Sequence, residues 1–388
     1  MQYHTFGKTG WEVSVLGFGA MRLPVINGQQ NKIDEPEAIR MIHHAFDNGV
    51  NYIDTAYMYH GGESEKVVGK ALKGGYREKV RVATKLPPRN VEKPEDADRI
   101  LNEQLQKLDV DKIDFYLFHG LNKDGWEIVK KFNLIKWAEK QIAAGKIGGI
   151  GFSFHDQYDL FKEIIDSYDN WVLAQVQYNF MDWHEQAGQK GVKYAAAHGV
   201  PIVVMEPLRG GLLAKEPPRP VADMWATADR HQEPVEWAFQ WLWSQPEVTL
   251  TLSGMSTFDQ LEQNLKLANN AKLHSMSAAE LELIDKIRGA YQSLRPVKCT
   301  SCKYCLPCPS GVDIPSVFQI YDDAMMYQDV RLGQFRYNVP FGINQDMRAD
   351  KCTECLECLE KCPNSIEIPK WLKKAHEDLY MKDPPRPR

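Results

Sequence analysis

All eight cysteines of this 388-residue chain fall between Cys299 and Cys362, in two runs: Cys299-x2-Cys302-x2-Cys305-x2-Cys308-Pro309 and Cys352-x2-Cys355-x2-Cys358-x3-Cys362-Pro363. Steps this short gather thiolates around shared centres, so the last quarter of the chain must fold around an inorganic group. Structural zinc is the competing reading, but it usually takes two separated Cys pairs. It needs neither a third Cys at the same step nor a terminal Cys-Pro. Disulfides are disfavoured too, because the opening MQYHTFGKTGWEV has no apolar h-region or cleavage site to send the chain to an oxidising compartment.

The second run matches the spacing of bacterial ferredoxins, in which the Cys before Pro ligates the other cluster of a pair. The resemblance implies two 4Fe-4S clusters. Cys299, Cys302, Cys305 and Cys362 would hold one, and Cys352, Cys355, Cys358 and Cys308 the other. The first run departs from that spacing, since Cys305 to Cys308 is one residue shorter than usual. The 43 residues between Cys308 and Cys352 include a helix-like stretch, Val317 to Asp329, then a Phe/Tyr/Asn/Gly-rich loop to Ala349. This linker resembles an α-helical ferredoxin-like module rather than the compact β-rich ferredoxin.

A chain of this length suggests two domains. The formal net charge of -5 offers no basic footprint for nucleic acid, and no apolar run approaches a membrane span. A cytoplasmic protein is the expectation.

Before the cysteines, short apolar runs alternate with amphipathic, helix-length segments. The strands expected are Val15–Ala20, Tyr52–Ile53, Val80–Thr84, Phe115–Phe118, Ile147–Gly151, Val172–Gln177, Ile202–Met205 and Thr249–Leu252. The helices expected between and after them are Glu35–Asp47, Glu63–Leu72, Pro94–Lys107, Trp126–Ala144, Gln157–Ser167, His184–Ala197, Pro234–Ser244 and Phe258–Ala268. Eight alternations with continuously apolar strands predict a parallel sheet closed into a (β/α)8 barrel. The preceding MQYHTFGKTGWEVS reads as a hairpin closing the barrel bottom. An open dinucleotide-binding sheet is disfavoured, because Gly17-Phe-Gly19-Ala-Met-Arg22 carries two glycines of G-x-G-x-x-G and no helix follows.

Barrel chemistry collects where strands end. Asp54 ends the second strand, Tyr59 lies in the loop behind it, Lys85 closes the third strand and His119 the fourth. Taken singly, Asp54 could be a helix cap, Lys85 a solvated charge, His119 a core histidine and Tyr59 packing. Together at three successive strand ends they read as catalytic. A buried Lys beside a carboxylate forms a pair whose positive charge would favour the phenolate of an adjacent Tyr, bringing its proton into play nearer neutral pH.

Over residues 1 to 290 the sequence resembles the aldo-keto reductases. The stretches carrying the resemblance are Gly49-Val-Asn-Tyr-Ile-Asp54-Thr-Ala-Tyr-Met-Tyr59-His-Gly-Gly-Glu63, Ala83-Thr-Lys85-Leu86 and Asp114-Phe-Tyr-Leu-Phe-His119. It implies a catalytic tetrad of Asp54, Tyr59, Lys85 and His119, with Tyr59 as proton donor in carbonyl reduction by NADP or NAD. Cofactor contacts implied in the same way are Gly19, Met21, Asp54, Ser153, Gln175, the loop Glu206-Pro207-Leu208-Arg209-Gly210-Gly211, and Gly254, Ser256, Gln260, Gln263 and Asn264. Gly254 and Gln260 stand where many members carry Lys and Arg for the 2'-phosphate of NADP, which leaves the choice of nicotinamide open. Arg209 and Lys266 are the cations nearest in sequence. Phe154 replaces an Asn that often holds the nicotinamide amide, and Met205 an aromatic that often stacks on its ring.

The expected organisation is therefore a reductase barrel over 1–290, a ferredoxin-type domain over 291–375 and a disordered tail over 376–388. The expected partners are a small carbonyl or alcohol substrate and a redox protein. Trp126, Trp183 and Trp225 are candidates for an aromatic substrate pocket. Two readings of the clusters stay open, electron transfer or structural staples on an ordinary hydride-transfer enzyme.

Overall fold

The computed structural model describes residues 1–339 and 342–382. Its chain divides into two compact units, Met1–Ala214 with Gln232–Ser277, and Lys215–His231 with the residues from Ala278 onward.

The first unit is the expected barrel. A hairpin of β1 (Tyr3–Thr5) and β2 (Glu12–Ser14) pairs antiparallel, Tyr3 opposite Ser14. The barrel strands are β3 (Leu16–Gly19), β4 (Tyr52–Asp54), β5 (Arg81–Leu86), β6 (Ile113–Leu121), β7 (Ile147–Phe154), β8 (Leu173–Gln177), β9 (Ile202–Met205) and β10 (Val248–Ser253). All neighbours pair in parallel, and β10 closes onto β3. Tyr52, Ala83, Phe115, Leu117, Leu173, Val203, Leu250 and Leu252 form one interior cluster, into which the hairpin inserts Phe6 and Val13.

That interior layer positions the candidate site, because side chains two apart on a strand share a face. Counting on by two from Tyr52, Ala83, Leu117 and Leu173 gives Asp54, Lys85, His119 and Gln175. A polar layer thus lies one step beyond the apolar one, towards the strands' C-terminal ends. The narrow interior also explains Gly17: a Cβ there would lie 2.9 Å from the Leu252 side chain.

The helix expected at Trp126–Ala144 is two helices, Lys123–Lys131 and Leu134–Ala143, separated at Asn133 with φ 51°. Asparagine tolerates the left-handed region better than most residues, which makes it a natural break. The helix expected from His184 begins at Gly188.

The second unit is mainly helical. Helices Ile314–Met326, Val330–Asn338 and Ile368–Leu379 share a core that includes Val317, Phe318, Tyr321, Tyr337, Leu372 and Leu379. Val330–Asn338 falls where a loop was expected, and Asp329 starts it by accepting from Leu332 N at 3.0 Å. The Pro-rich stretch after Lys215 holds a helix, Arg219–Trp225. Proline in a first helical turn forfeits no hydrogen bond. The boundary placed at 290 falls inside the helix Ala278–Ser293. The last helix runs through 379, beyond the start of the tail expected from 376; residues 383–388 of that tail lie outside the described residues.

Candidate active site and cluster-ligand site

At the centre of the barrel's polar layer, Lys85 is fully buried and donates to Asp54 Oδ1 at 2.6 Å, to the Thr55 carbonyl at 2.7 Å and to Tyr59 Oη at 3.4 Å. The His119 ring meets the Tyr59 ring edge-on, with centroids 5.8 Å apart. The structure therefore brings all four predicted tetrad residues together. Behind Lys85, Gln104 donates to the Lys85 carbonyl at 3.1 Å and to the buried Glu65 at 2.7 Å, and Thr84 donates to Glu65 at 2.6 Å. Nothing in the sequence pattern marked that support.

Burial raises the Asp54 carboxyl, against the opposing pull of Lys85 and Gln175. Burial works to lower the Lys85 ammonium, yet Asp54 and Tyr59 outweigh it and hold it above the ordinary lysine value. The Tyr59 phenol was expected to fall toward neutrality under the influence of Lys85. It moves the other way: burial raises it and Lys85 offsets that only in part. Burial, with the charge of Lys85 second, pushes His119 down to about 3, so its ring is neutral at physiological pH. The layer thus presents a protonated phenol beside a neutral imidazole.

Of the predicted cofactor residues, Ser153 and Gln175 are paired across β7 and β8 in this layer, and both are buried. Ser153 Oγ accepts from Gly120 N at 2.7 Å. Gln175 Oε1 and Asp54 Oδ2 are buried without a hydrogen-bond partner, as acceptors facing a ligand's donors would be. Gly19 pairs with Asp54, and a Cβ on it would stand 3.2 Å from the Ser253 carbonyl. Met21 is exposed. The Glu206–Gly211 loop turns sharply, with φ 53° at Glu206, 69° at Gly210 and 93° at Gly211, and Pro207 within it is buried. Ser256 N donates to Gln260 Oε1 at 2.9 Å, and buried Asn264 donates to Ser253 Oγ at 2.9 Å. Gln263 is exposed.

Two aromatic residues singled out in the sequence pack within the fold instead. Phe154 packs edge-on against Phe161 of the outer helix Tyr158–Asp166, at 5.2 Å. Trp126 is buried and donates to Glu163 at 2.7 Å, as helix packing rather than a pocket wall.

Sequence reading missed Arg22. Its stem fills the space over Gly254, where a Cβ would lie 3.1 Å from the Arg22 Cβ, and its guanidinium reaches Glu206 at 3.5 Å. Gly254 thus makes room for an arginine from another loop. Arg209, one of the two cations nearest in sequence, donates from Nε to both carboxylate oxygens of Asp182 at 3.0 Å.

In the helical unit no disulfide joins any of the eight cysteines. They surround two cavities. One is lined by Cys299, Cys302, Cys305 and Cys362; the other by Cys308, Cys352, Cys355 and Cys358, with Cys305 also on its wall. The two sets are the quartets that ferredoxin-like spacing implies. Backbone φ is positive at matched positions of the runs, 53° and 65° at Ser301 and Lys303, 55° and 65° at Glu354 and Leu356. Such alternation turns successive N–H groups inward to cup an anionic cluster, and Ser301 N donates to Cys299 Sγ at 3.4 Å. The first run is anchored by buried Asp322, which accepts from Val297 N at 2.9 Å and from Arg295 at 3.0 Å, while Arg295 donates to the Cys299 carbonyl at 2.7 Å.

A closed parallel barrel with this polar layer defines a class of oxidoreductase, and comparison with known proteins agrees. The Aldo/keto reductase family model matches residues 15–286, and a 4Fe-4S dicluster domain matches 298–367. A probable aldo-keto reductase of Glycine max is 27% identical over 293 residues, 67% of this chain and 82% of that protein. An L-galactose dehydrogenase of Arabidopsis thaliana is 26% identical over 319 residues, 77% of this chain and 96% of that protein. The holo form of an aldo-keto reductase from Bacillus halodurans superposes with a TM-score of 0.61 at 27% identity, covering 74% of this chain and 96% of that one. The chain belongs to the aldo/keto reductase family, and a 4Fe-4S dicluster domain follows its barrel. No helix among the described residues is long and apolar enough to cross a membrane.

Proposed function

We propose that the barrel reduces an aldehyde or ketone to an alcohol, or runs the reverse reaction, with Tyr59 as the group that gives or takes the proton. The observation that supports this best is the single ammonium of Lys85 shared between Asp54 at 2.6 Å and Tyr59 at 3.4 Å. A bound NADPH or NADH supplies the hydride, which moves two electrons together. Everything else falls to the side chains. Asp54 fixes the Lys85 ammonium, and that charge faces the Tyr59 oxygen from which a proton leaves. His119, neutral because burial suppresses its protonation, can donate one N–H to the carbonyl oxygen that Tyr59 protonates. Gln175 Oε1 and Ser153 Oγ suit the amide of the nicotinamide, and the Glu206–Gly211 loop suits the pyrophosphate.

The cysteine quartets would hold two 4Fe-4S clusters that pass single electrons between a redox protein and the barrel, in a cytoplasmic enzyme. The competing reading makes them staples, since hydride transfer itself needs no cluster. Anaerobic addition of NADPH, then of a carbonyl substrate, with cluster absorbance recorded throughout, separates the two. Bleaching on NADPH and recovery on substrate support electron transfer. Turnover with unchanged cluster absorbance leaves the staple.

A further inference from the structure

The two cysteine runs place positive φ at the same two positions but carry opposite charge. Cys299-Thr-Ser-Cys302-Lys-Tyr-Cys305 and Cys352-Thr-Glu-Cys355-Leu-Glu-Cys358 align position for position, and both place positive φ on the same two residues, Ser301 with Lys303 and Glu354 with Leu356. At these matched places Ser301 corresponds to Glu354, Lys303 to Leu356, and Tyr304 to Glu357. The lysines before each run, Lys298 and Lys351, cancel in the comparison. What differs is one cation in the first run and two carboxylates in the second. Lys303 lines the first cavity; Glu357 lines the second. Lys361 also lines the second cavity and reaches Glu357 at 3.4 Å. Over residues 352–361, Glu354, Glu357, Glu360 and Lys361 leave a net charge of -2, against +1 from Lys303 on the first run. Beside the first run, Asp322 and Arg295 form a pair at 3.0 Å and cancel each other.

We infer that these side chains make the two quartets unequal as electron sites. A positive wall favours the added electron of a reduced cluster and a negative wall opposes it, since nearby charge is one of the settings of cluster potential. The quartet of Cys308, Cys352, Cys355 and Cys358 is the donor side, and the quartet of Cys299, Cys302, Cys305 and Cys362 is the acceptor side. The step is one electron, lost at the second quartet and gained at the first, with no proton moved; an external one-electron reductant supplies it. Both cavities have Cys305 and Ile314 on their walls, so the electron crosses little more than one layer of side chains. This inference rests on the reading of the quartets as 4Fe-4S ligands and gives that reading a direction.

Anaerobic redox titration of the full-length holoprotein with dithionite, followed by EPR, tests it. Two one-electron steps are expected, their reduction equilibria separated by about tenfold, which is about 59 mV for a one-electron couple. Lys303→Glu should lower the upper midpoint and leave the lower one in place, while Glu357→Lys should raise the lower one. The milder Lys303→Gln and Glu357→Gln should give the same signs at roughly half the size if the reversals disturb cluster assembly. A single unresolved step in the wild type, or Lys303 variants that move the lower midpoint, overturns the assignment. Wild-type iron well below about eight per chain overturns the quartet reading beneath it, a failure visible before any titration begins.

Discussion

Lys85 Nζ stands 3.4 Å from Tyr59 Oη and 4.8 Å from the centre of its ring, which sets the phenol oxygen beside a fully buried cation. Removing the Tyr59 hydroxyl should therefore cost carbonyl reduction roughly 100-fold or more, the usual range for a lost general acid. NADPH affinity measured by fluorescence titration should stay near the wild-type value. Lys85→Met should act in the same direction. Near wild-type turnover in Tyr59→Phe would remove Tyr59 from the mechanism.

The shifted groups set the pH profile. Tyr59 is raised by burial, so the phenol keeps its proton throughout the neutral range, and His119, pushed to about 3, gains no proton there. Carbonyl reduction should therefore show a flat kcat/KM from about pH 6 to 9 and fall only above about 10, the ordinary Tyr value. Alcohol oxidation needs the phenolate and should rise with pH over the same span. His119 also bears on stability. Its folded value is depressed, so the unfolded chain binds the proton first, and stability is lost as pH falls from about 6.5 toward 3. A reduction profile that falls between pH 7 and 9 would contradict the direction of the Tyr59 shift.

The barrel was readable because its signal is repeated: eight apolar runs alternate with eight helical patterns, and each strand end could be located to within a few residues. Asp54, Lys85 and His119 stood out because an ionisable group is out of place at the end of an apolar run. What escaped notice lacked such contrast. Arg22 looks like any exposed cation until Gly254 is folded over its stem, and Glu65 looks like a helix-surface acid until Thr84 and Gln104 close around it. The Tyr59 shift was misjudged because sequence shows the partner charge but not the desolvation that outweighs it. Helices Arg219–Trp225 and Val330–Asn338 hid in Pro- and Gly-containing stretches, where composition suggests loops.

Asp322 offers a test of how the first cysteine run is held. Its buried carboxylate accepts from Val297 N and Arg295, and Arg295 in turn donates to the Cys299 carbonyl. Asp322→Ala takes the acceptor from Val297 N and from Arg295, which keeps only the Cys299 carbonyl, a loss of the kind that costs about 1–3 kcal/mol. Anaerobically purified wild type should carry about eight irons per chain, two full sets of four ligands. Asp322→Ala should fall toward about four, with the loss from the Cys299 quartet. Eight irons retained in the variant would show that the anchor is dispensable.

Cofactor choice follows from a missing pair of charges. NADP differs from NAD by a 2'-phosphate, and selective sites meet it with Arg or Lys in charge-assisted hydrogen bonds worth roughly 1.5–3 kcal/mol each. Gly254 and Gln260 bring no charge, and the Gln260 amide oxygen is already held by Ser256 N at 2.9 Å. Arg22 supplies a cation nearby, but Glu206 lies 3.5 Å from it and both are partly exposed to solvent, which weakens its pull on an added phosphate. The preference for NADPH over NADH should therefore stay under about tenfold, the value of a single weak charged contact. Arg22→Met should remove most of it, and Gln260→Arg should move selectivity toward NADPH by about tenfold or more. Titration of both reduced cofactors at low salt decides the matter: a wild-type preference above about 100-fold, equivalent to two good charged contacts, would mean that another cation reaches the phosphate.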